Sequence, residues 1–249
     1  MKRIRTGIFL SVMLTAFLIF SASCEKDNEE PDENIDAPVT DVDGNIYTPI
    51  EIGNYQWMVE NLKTTTYNDG TEIPIISSNS EWADQNEGAC TWYHNNDESY
   101  GKTYGALYNW HAVNTGKLCP AGWRVPTDDE WKALEGFIDE KYGTEDPEWD
   151  NTLFRGHNAG DVLKSTSGWE EEGNGSDDYG FSAYPGGRRS FVNGDFYSEG
   201  SRGFWWTASE LDDTYSWSRS MYYDSDNISR VGLNKGSGFS VRCIRDIDE

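Results

Sequence analysis

Apolar positions along the chain fall into two rhythms separated by turn residues. Trp131, Leu134, Phe137, Ile138 and Tyr142 recur at helical spacing, which predicts an amphipathic helix from Asp128 to about Tyr142. Thr127 stands three residues before Glu130, the reciprocal arrangement in which a hydroxyl and a carboxylate each accept a backbone N–H at a helix start. Asp128, Asp129 and Glu130 fill the first turn, where the helix dipole favours negative charge, and Gly143 is placed to end the helix. Shorter helical patterns cover 106–113 and 159–165.

The last third has the two-residue rhythm of strands. GFWWTASE, YSWSRSMYYD, ISRVGLN and GFSVRCIRD are rich in aromatic and β-branched residues, and Asp, Asn and Gly turns separate them, which predicts a four-strand antiparallel meander. In YSWSRSMYY the alternation puts Tyr215, Trp217, Arg219, Met221 and Tyr223 on one face and serines on the other. Near Asp43, DGNIYTPIEIGNYQWMVENL reads as turn, strand, turn, strand, and this is where the fold is expected to begin. From there to Glu249 no stretch reads as a linker and no solenoid or propeller repeat stands out, so residues 43–249 read as one domain.

The first residues follow a different pattern. Lys2, Arg3 and Arg5 precede the apolar run GIFLSVMLTAFLIF, then SAS and Cys24, which reads as a signal peptide over residues 1–23. The small residues before Cys24 resemble the lipobox of bacterial lipoproteins, implying lipidation of Cys24; Ser21 departs from the usual leucine, and an ordinary secretory signal is the alternative. Residues 24–42 are acidic, lack aromatics and read as a disordered tether. A lysine followed by acids after that cysteine resembles the surface-export signal of Bacteroidota lipoproteins, which implies the outer membrane or cell surface; a periplasmic spacer is the alternative.

A formal net charge of -24 argues against contact with nucleic acid, whose partners present basic patches. The remaining cysteines, Cys90, Cys119 and Cys243, lack zinc-site spacing. Export permits a disulfide, and joining Cys119 to Cys243 would close most of the domain, a closure that loop entropy puts at about 4 to 5 kcal/mol. Cys90 would then be the odd thiol, buried or reactive.

The succession YGKTYGALYNW, KLCPAGWRVPTDDEW, YGFSAYPGGRR, GFWWTASE and GFSVRCIRD resembles the Fibrobacter succinogenes major paralogous domain family over nearly everything after the tether. That family is similar, through RVPTDDEW and GFSVRC, to the formylglycine-generating sulfatase-modifying enzymes. The resemblance implies an α+β, C-type-lectin-like fold: short antiparallel sheets, one main helix, long loops and chain ends close together.

The related oxidases hold copper on a cysteine pair, and residues 216–240 contain no cysteine, so that activity is not expected. Paired carboxylates for hydrolysis carry little weight among 44 acidic residues, and His94, His111 and His157 are dispersed without metal or triad spacing. Aromatic residues are 14% of the chain against 36% hydrophobic overall, an excess that suits flat contact with sugar rings or peptide. The expected ligand-binding residues are Trp92, Tyr93, His94, Arg188, Arg189, Trp205, Trp206 and Tyr222, with Trp123, Trp131, Trp205 and Trp206 also readable as core. No cofactor is expected, although HNNDES, EEEGNGSDDYG and YDSDN supply oxygen ligands that could suit a structural calcium. The chain reads as a surface lipoprotein whose domain binds or adheres to a glycan or protein. A structural or assembly subunit of a surface complex stands second and a degenerate enzyme third.

Overall fold

The computed structural model describes residues 37–247, so the leader, Cys24 and most of the tether lie outside the described residues. In chain order, β1 (Val39–Thr40) pairs with β2 (Ile46–Tyr47), and β3 (Pro49–Ile52) turns back onto β4 (Tyr55–Met58). A loop-rich stretch follows with α1 (Asn79–Ala83), β5 (Cys90–Thr91), α2 (Lys102–Tyr104), β6 (Leu107–Tyr108) and α3 (Trp110–Val113). The main helix α4 (Asp128–Ile138) leads to β7 (Leu153–Arg155) and α5 (Ala159–Leu163). The chain then lays down β8 (Gly186–Arg189), β9 (Phe196–Glu199), β10 (Arg202–Glu210), β11 (Tyr215–Tyr222), β12 (Ile228–Asn234) and β13 (Ile244–Asp246).

Six strands form the principal sheet in the order β7-β12-β11-β10-β8-β9, while β13, β4 and β3 form a second, three-stranded sheet. The architecture is α+β, with every ladder antiparallel except β8 beside β10. The expected four-strand meander holds for β10, β11 and β12, but the fourth segment leaves the sheet. Phe239, Val241 and Cys243 are drawn into the core, only bridge contacts tie Phe239 to Tyr108 and Ser240 to Trp205, and β13 pairs with β4 instead. The C-terminal strand thereby lies against the N-terminal hairpin. Ordered structure also starts ahead of Asp43, because the Asp41 carboxylate accepts hydrogen bonds from the backbone N–H groups of Asp43 and Asn45 and from the Tyr47 hydroxyl.

The principal sheet is buried on both faces. Along β10 the side chains alternate, so Phe204 and Trp206 enter one core and Trp205 the other. On β11 the serine face is buried as well: Ser218 stands opposite Trp206 and Ser220 opposite Phe204, small residues under large rings. The first core joins Trp206 to Phe239 at 4.3 Å between ring centroids, and the second joins Trp57 to Trp131 at 5.1 Å.

Helix α4 starts as expected, with the Thr127 hydroxyl accepting from the Glu130 N–H and Glu130 accepting from the Thr127 N–H. It ends earlier than expected, at Ile138. Asp139 leaves helical geometry, and its carboxylate accepts the N–H groups of Lys141, Tyr142, His157 and Asn158, a stronger stop than Gly143 offers. Phe137 consequently lies 52% exposed and Tyr142 packs edge-on to Trp149, while Trp131, Leu134 and Ile138 fill the core. Of the shorter helices, the first covers only Trp110–Val113 because Leu107 and Tyr108 pair with β5, and the second covers Ala159–Leu163.

A buried ion network fastens α4 to the sheet. Arg219 on β11 lies directly opposite Arg230 on β12, a pairing that like charges disfavour. Asp128 resolves it: Oδ1 accepts from Arg219 Nη1 at 2.7 Å and Oδ2 from Arg230 Nη2 at 2.7 Å. Two turns along, Glu135 accepts from Arg219 Nε at 2.6 Å and from Arg155 Nη2 on β7. Arg219, Glu135 and Arg155 are at most 1% exposed. Burial pushes the Asp128 carboxyl up, but its hydrogen bonds and charge contacts with Arg230 and Arg219 prevail and hold it at about 2. Outside the network, Arg124 bonds both Glu130 and Asp246, tying the helix start to β13. Cys119 and Cys243 form the expected disulfide, and Cys90 is buried with its thiol pushed up to about 12 by burial and then Asp43.

Two outcomes follow from these contacts. Asp128→Asn or Glu135→Ala leaves guanidinium groups buried without their counter-charge and should lower stability by about 3–5 kcal/mol in denaturant melts at pH 7. Because the folded pKa of Asp128 lies below its unfolded value of 3.8, its stabilising contribution is complete above that value and is lost as pH falls through about 2. Melts of Asp128→Asn should therefore lack that part of the acid loss; an identical pH profile would refute the assignment. Separately, Cys90 should resist a thiol reagent in native protein and react once in guanidinium, as timed labelling would show.

Candidate functional site

The expected ligand residues separate into core and surface. Trp205 and Trp206 are 0% exposed, so neither offers a ring to a ligand. Their indole N–H groups donate inward, Trp205 to Asn61 Oδ1 at 2.9 Å and Trp206 to the Tyr108 carbonyl at 2.8 Å. Arg189 is equally buried: it donates to the carbonyls of Gly194, Ile76 and Ser77 and stacks on Trp82 and Phe196, and burial pushes it down to about 10 against the pull of Asp195. Consecutive aromatics and arginines in a strand send neighbours to opposite faces, and here both faces are covered. Arg188 is half-buried over Tyr197 and Phe204, while Tyr222 sits in a separate cluster between Arg202 and Phe154.

Trp92, Tyr93 and His94 do converge, on the segment from Trp92 to Tyr104. A 3-10 turn over Tyr93–Asn95 and a π turn over Asp97–Gly101 run into α2. Asn96 closes the second turn by accepting the Ser99 N–H at 3.0 Å, and Asn95 is held by Thr91 and the Ser77 carbonyl. His94 and Asn95 both adopt left-handed backbone, at φ 52° and 55°, a conformation that costs non-glycine residues on the order of 1 kcal/mol or more each. The result is an exposed imidazole perched on rings: His94 lies 4.6 Å from Tyr93, 5.8 Å from Tyr100 and 5.6 Å from Phe196. Tyr100, Tyr104 and Tyr184 continue the row at 6.1 Å and 6.4 Å between centroids.

Buried groups hold this row in place. Tyr93 Oη accepts the Glu199 N–H at 3.3 Å, and its ring approaches Gly187 so closely that a Cβ there would fall 2.7 Å from Tyr93 Cε2. Tyr104 donates to Glu199, and burial together with that carboxylate pushes its hydroxyl up to about 12, keeping it a donor. Its carbonyl accepts from Asn61 Nδ2 at 2.8 Å, and the same Asn61 accepts from Trp205 and from the fully buried Arg242. Tyr100, Tyr104, Tyr184 and Phe196 were missed in sequence; the four-residue spacing of Tyr100 and Tyr104 was the available signal.

The other side of the segment borders a cleft of about 460 Å³ lined by residues that include Asp43, Lys63, Trp92, Asp97, Glu98 and Lys102. Trp92 is half-buried, its inner part packed on the core. The bare backbone of Gly101 lets both side chains sit close, since a Cβ there would lie 2.0 Å from Asp97 Oδ1 and 3.0 Å from Trp92 Cδ1. The Asp43 carboxylate is already committed to donors on Thr64 and Thr65.

Two acidic stretches that suggested calcium, EEEGNGSDDYG and YDSDN, do meet, but around a side chain of the protein itself. Lys164, 2% exposed, donates to the carbonyls of Ser225 at 3.1 Å and Tyr222 at 3.4 Å and lies over the Trp169 ring. Burial pulls its ammonium below the usual lysine range although Asp226, Asp161 and Asp224 favour the charge. Among the described residues no group of three or more His, Cys, Asp or Glu side chains is placed to hold a metal ion. The buried carboxylates Asp128 and Glu135 are bound by arginines rather than free for acid–base work.

Comparison with known proteins places these features in a family. No curated protein and no solved structure matches the chain. The model of the Fibrobacter succinogenes major domain matches residues 50–245, a span that holds the ion network, the disulfide and the Trp92–Tyr104 segment. The chain therefore belongs to the Fibrobacter succinogenes major domain family.

Proposed function

We propose that the chain is a lipoprotein of the outer membrane or cell surface, anchored through Cys24, whose domain is a non-catalytic binding or adhesion module for a glycan or a protein. The observation that carries this reading is the aromatic row of Phe196, His94, Tyr100, Tyr104 and Tyr184, which is partly exposed, is fixed from beneath, and carries its exposed His94 on a left-handed turn with Asn95. Rings with partly exposed faces provide contact area at low entropic cost. The terminal strand beside the N-terminal hairpin, together with the long loops, supports a C-type-lectin-like fold.

A second reading, an assembly subunit of a surface complex, draws on the opposite edge of the sheet. There β7 exposes Leu153 (62%) and Phe154 (47%), apolar groups on an unpaired strand edge. The row and the edge are separable by mutation. With immobilised envelope polysaccharide and envelope protein extract as baits, the double variant His94→Ala/Tyr100→Ala should lose at least roughly tenfold in retention. Unchanged retention, with loss in Leu153→Ser/Phe154→Ser instead, would favour the assembly reading. For the anchor, Cys24→Ala should move the protein from the membrane fraction to the soluble one; persistence in membranes contradicts lipidation.

A further inference from the structure

Lys63 and Lys102 differ from every other lysine and arginine among the described residues. Lys117, Lys132, Lys235 and Arg124, Arg155, Arg219 and Arg230 are ion-paired. The others lie against rings, several with carbonyl or amide oxygens as further partners. Only these two ammonium groups have no such partner, in a chain with 44 acidic residues, and both line the cleft beside Trp92. Asp97 and Glu98, on the same wall, are exposed and likewise outside any ion pair.

We propose that this cleft binds one uncharged, hydroxyl-rich sugar ring of a neutral glycan, stacked on Trp92, with Lys63 and Lys102 donating to hydroxyl oxygens and Asp97 and Glu98 accepting from hydroxyl protons. The inference rests on the binding-module reading and narrows its ligand. Both signs of charge point to it. A cationic ligand meets two uncommitted lysines, and an anionic one meets Asp43, Asp97 and Glu98 within a protein of net charge -24. A hydroxyl is donor and acceptor at once, so a polyol satisfies both kinds of wall without bringing a charge of its own. A volume of about 460 Å³ falls at the lower end of the usual range for small-molecule sites, and an aromatic floor with a few convergent polar groups is their common composition.

The test is an array of immobilised oligosaccharides probed with the full mature chain, printed with neutral glucans, mannans and xylans beside uronic-acid, sulfated and amino sugars. The expected result is retention on a neutral class that changes less than twofold between 50 mM and 500 mM salt. That retention should fall at least tenfold in Trp92→Ala and several-fold in Lys63→Ala/Lys102→Ala. Because the two lysines hold no structural partner, the double variant folds as the parent does and its result is free of any packing effect of Trp92. Retention confined to acidic sugars or lost with salt overturns the proposal. So does retention that falls with His94→Ala/Tyr100→Ala but ignores the lysine pair, an outcome that leaves the binding module standing. Silence across the array also overturns it, and if the envelope extract is silent too the module reading falls with it.

Discussion

Two arginines placed side by side in the middle of a sheet are an electrostatic problem, and the arrangement of this domain depends on how it is solved. Arg219 and Arg230 face the same side of neighbouring strands, so a carboxylate must reach them from above. Asp128 does so from the first turn of α4, and Glu135 repeats the contact two turns later, adding Arg155 from the edge strand. Separation along a helix of seven residues returns to the same face, so the network fixes both the position and the rotation of α4 on the sheet. Each charge is costly to bury alone, and the set is tolerable only when complete. That accounts for the dense chemistry of the segment RVPTDDEW: Thr127 and Glu130 start the helix, Arg124 ties that start to β13, and Asp128 locks it to the sheet.

The core beneath α4 also supports the surface segment. Asn61 is the point of exchange, since its oxygen accepts hydrogen bonds from Trp205 and Arg242 and its amide N–H donates to the Tyr104 carbonyl. Buried residues thereby determine where a partly exposed row of rings stands. Burial pulls Arg242 down to about 9 while backbone carbonyls of Phe181 and Ser182 share its protons, so it remains a cation at neutral pH and a steady donor to Asn61.

Sequence reading recovered what is written in local chemistry. The α4 cap and the strands β10 to β12 follow from residues near one another in sequence or from alternation that any strand imposes, and the disulfide partners, 124 residues apart, from the small number of cysteines to choose among. It could not decide where covering the second face of a sheet sets the outcome: Trp205 and Trp206 were readable as ligand contacts or as core and Arg189 as a ligand contact, and all three are core by position. The departure of residues 238–243 from the meander, the stop at Asp139 and the use of Lys164 depend on contacts between distant segments, which no periodicity encodes. Within the candidate site, Trp92, Tyr93 and His94 were legible as an aromatic run. Phe196 and Tyr184 join them only because the loops before and after β8 fold back to that surface.

The lysine at the meeting of the two acidic loops has a consequence for how that corner answers to its solvent. Where a divalent ion closes such loops, their shape follows the ion's concentration in the medium, and chelators open them. Lys164 is part of the chain, and its ammonium reaches the Ser225 carbonyl whatever the surroundings supply. The cation that holds the Ser225 carbonyl at this corner is thus inherited with the polypeptide.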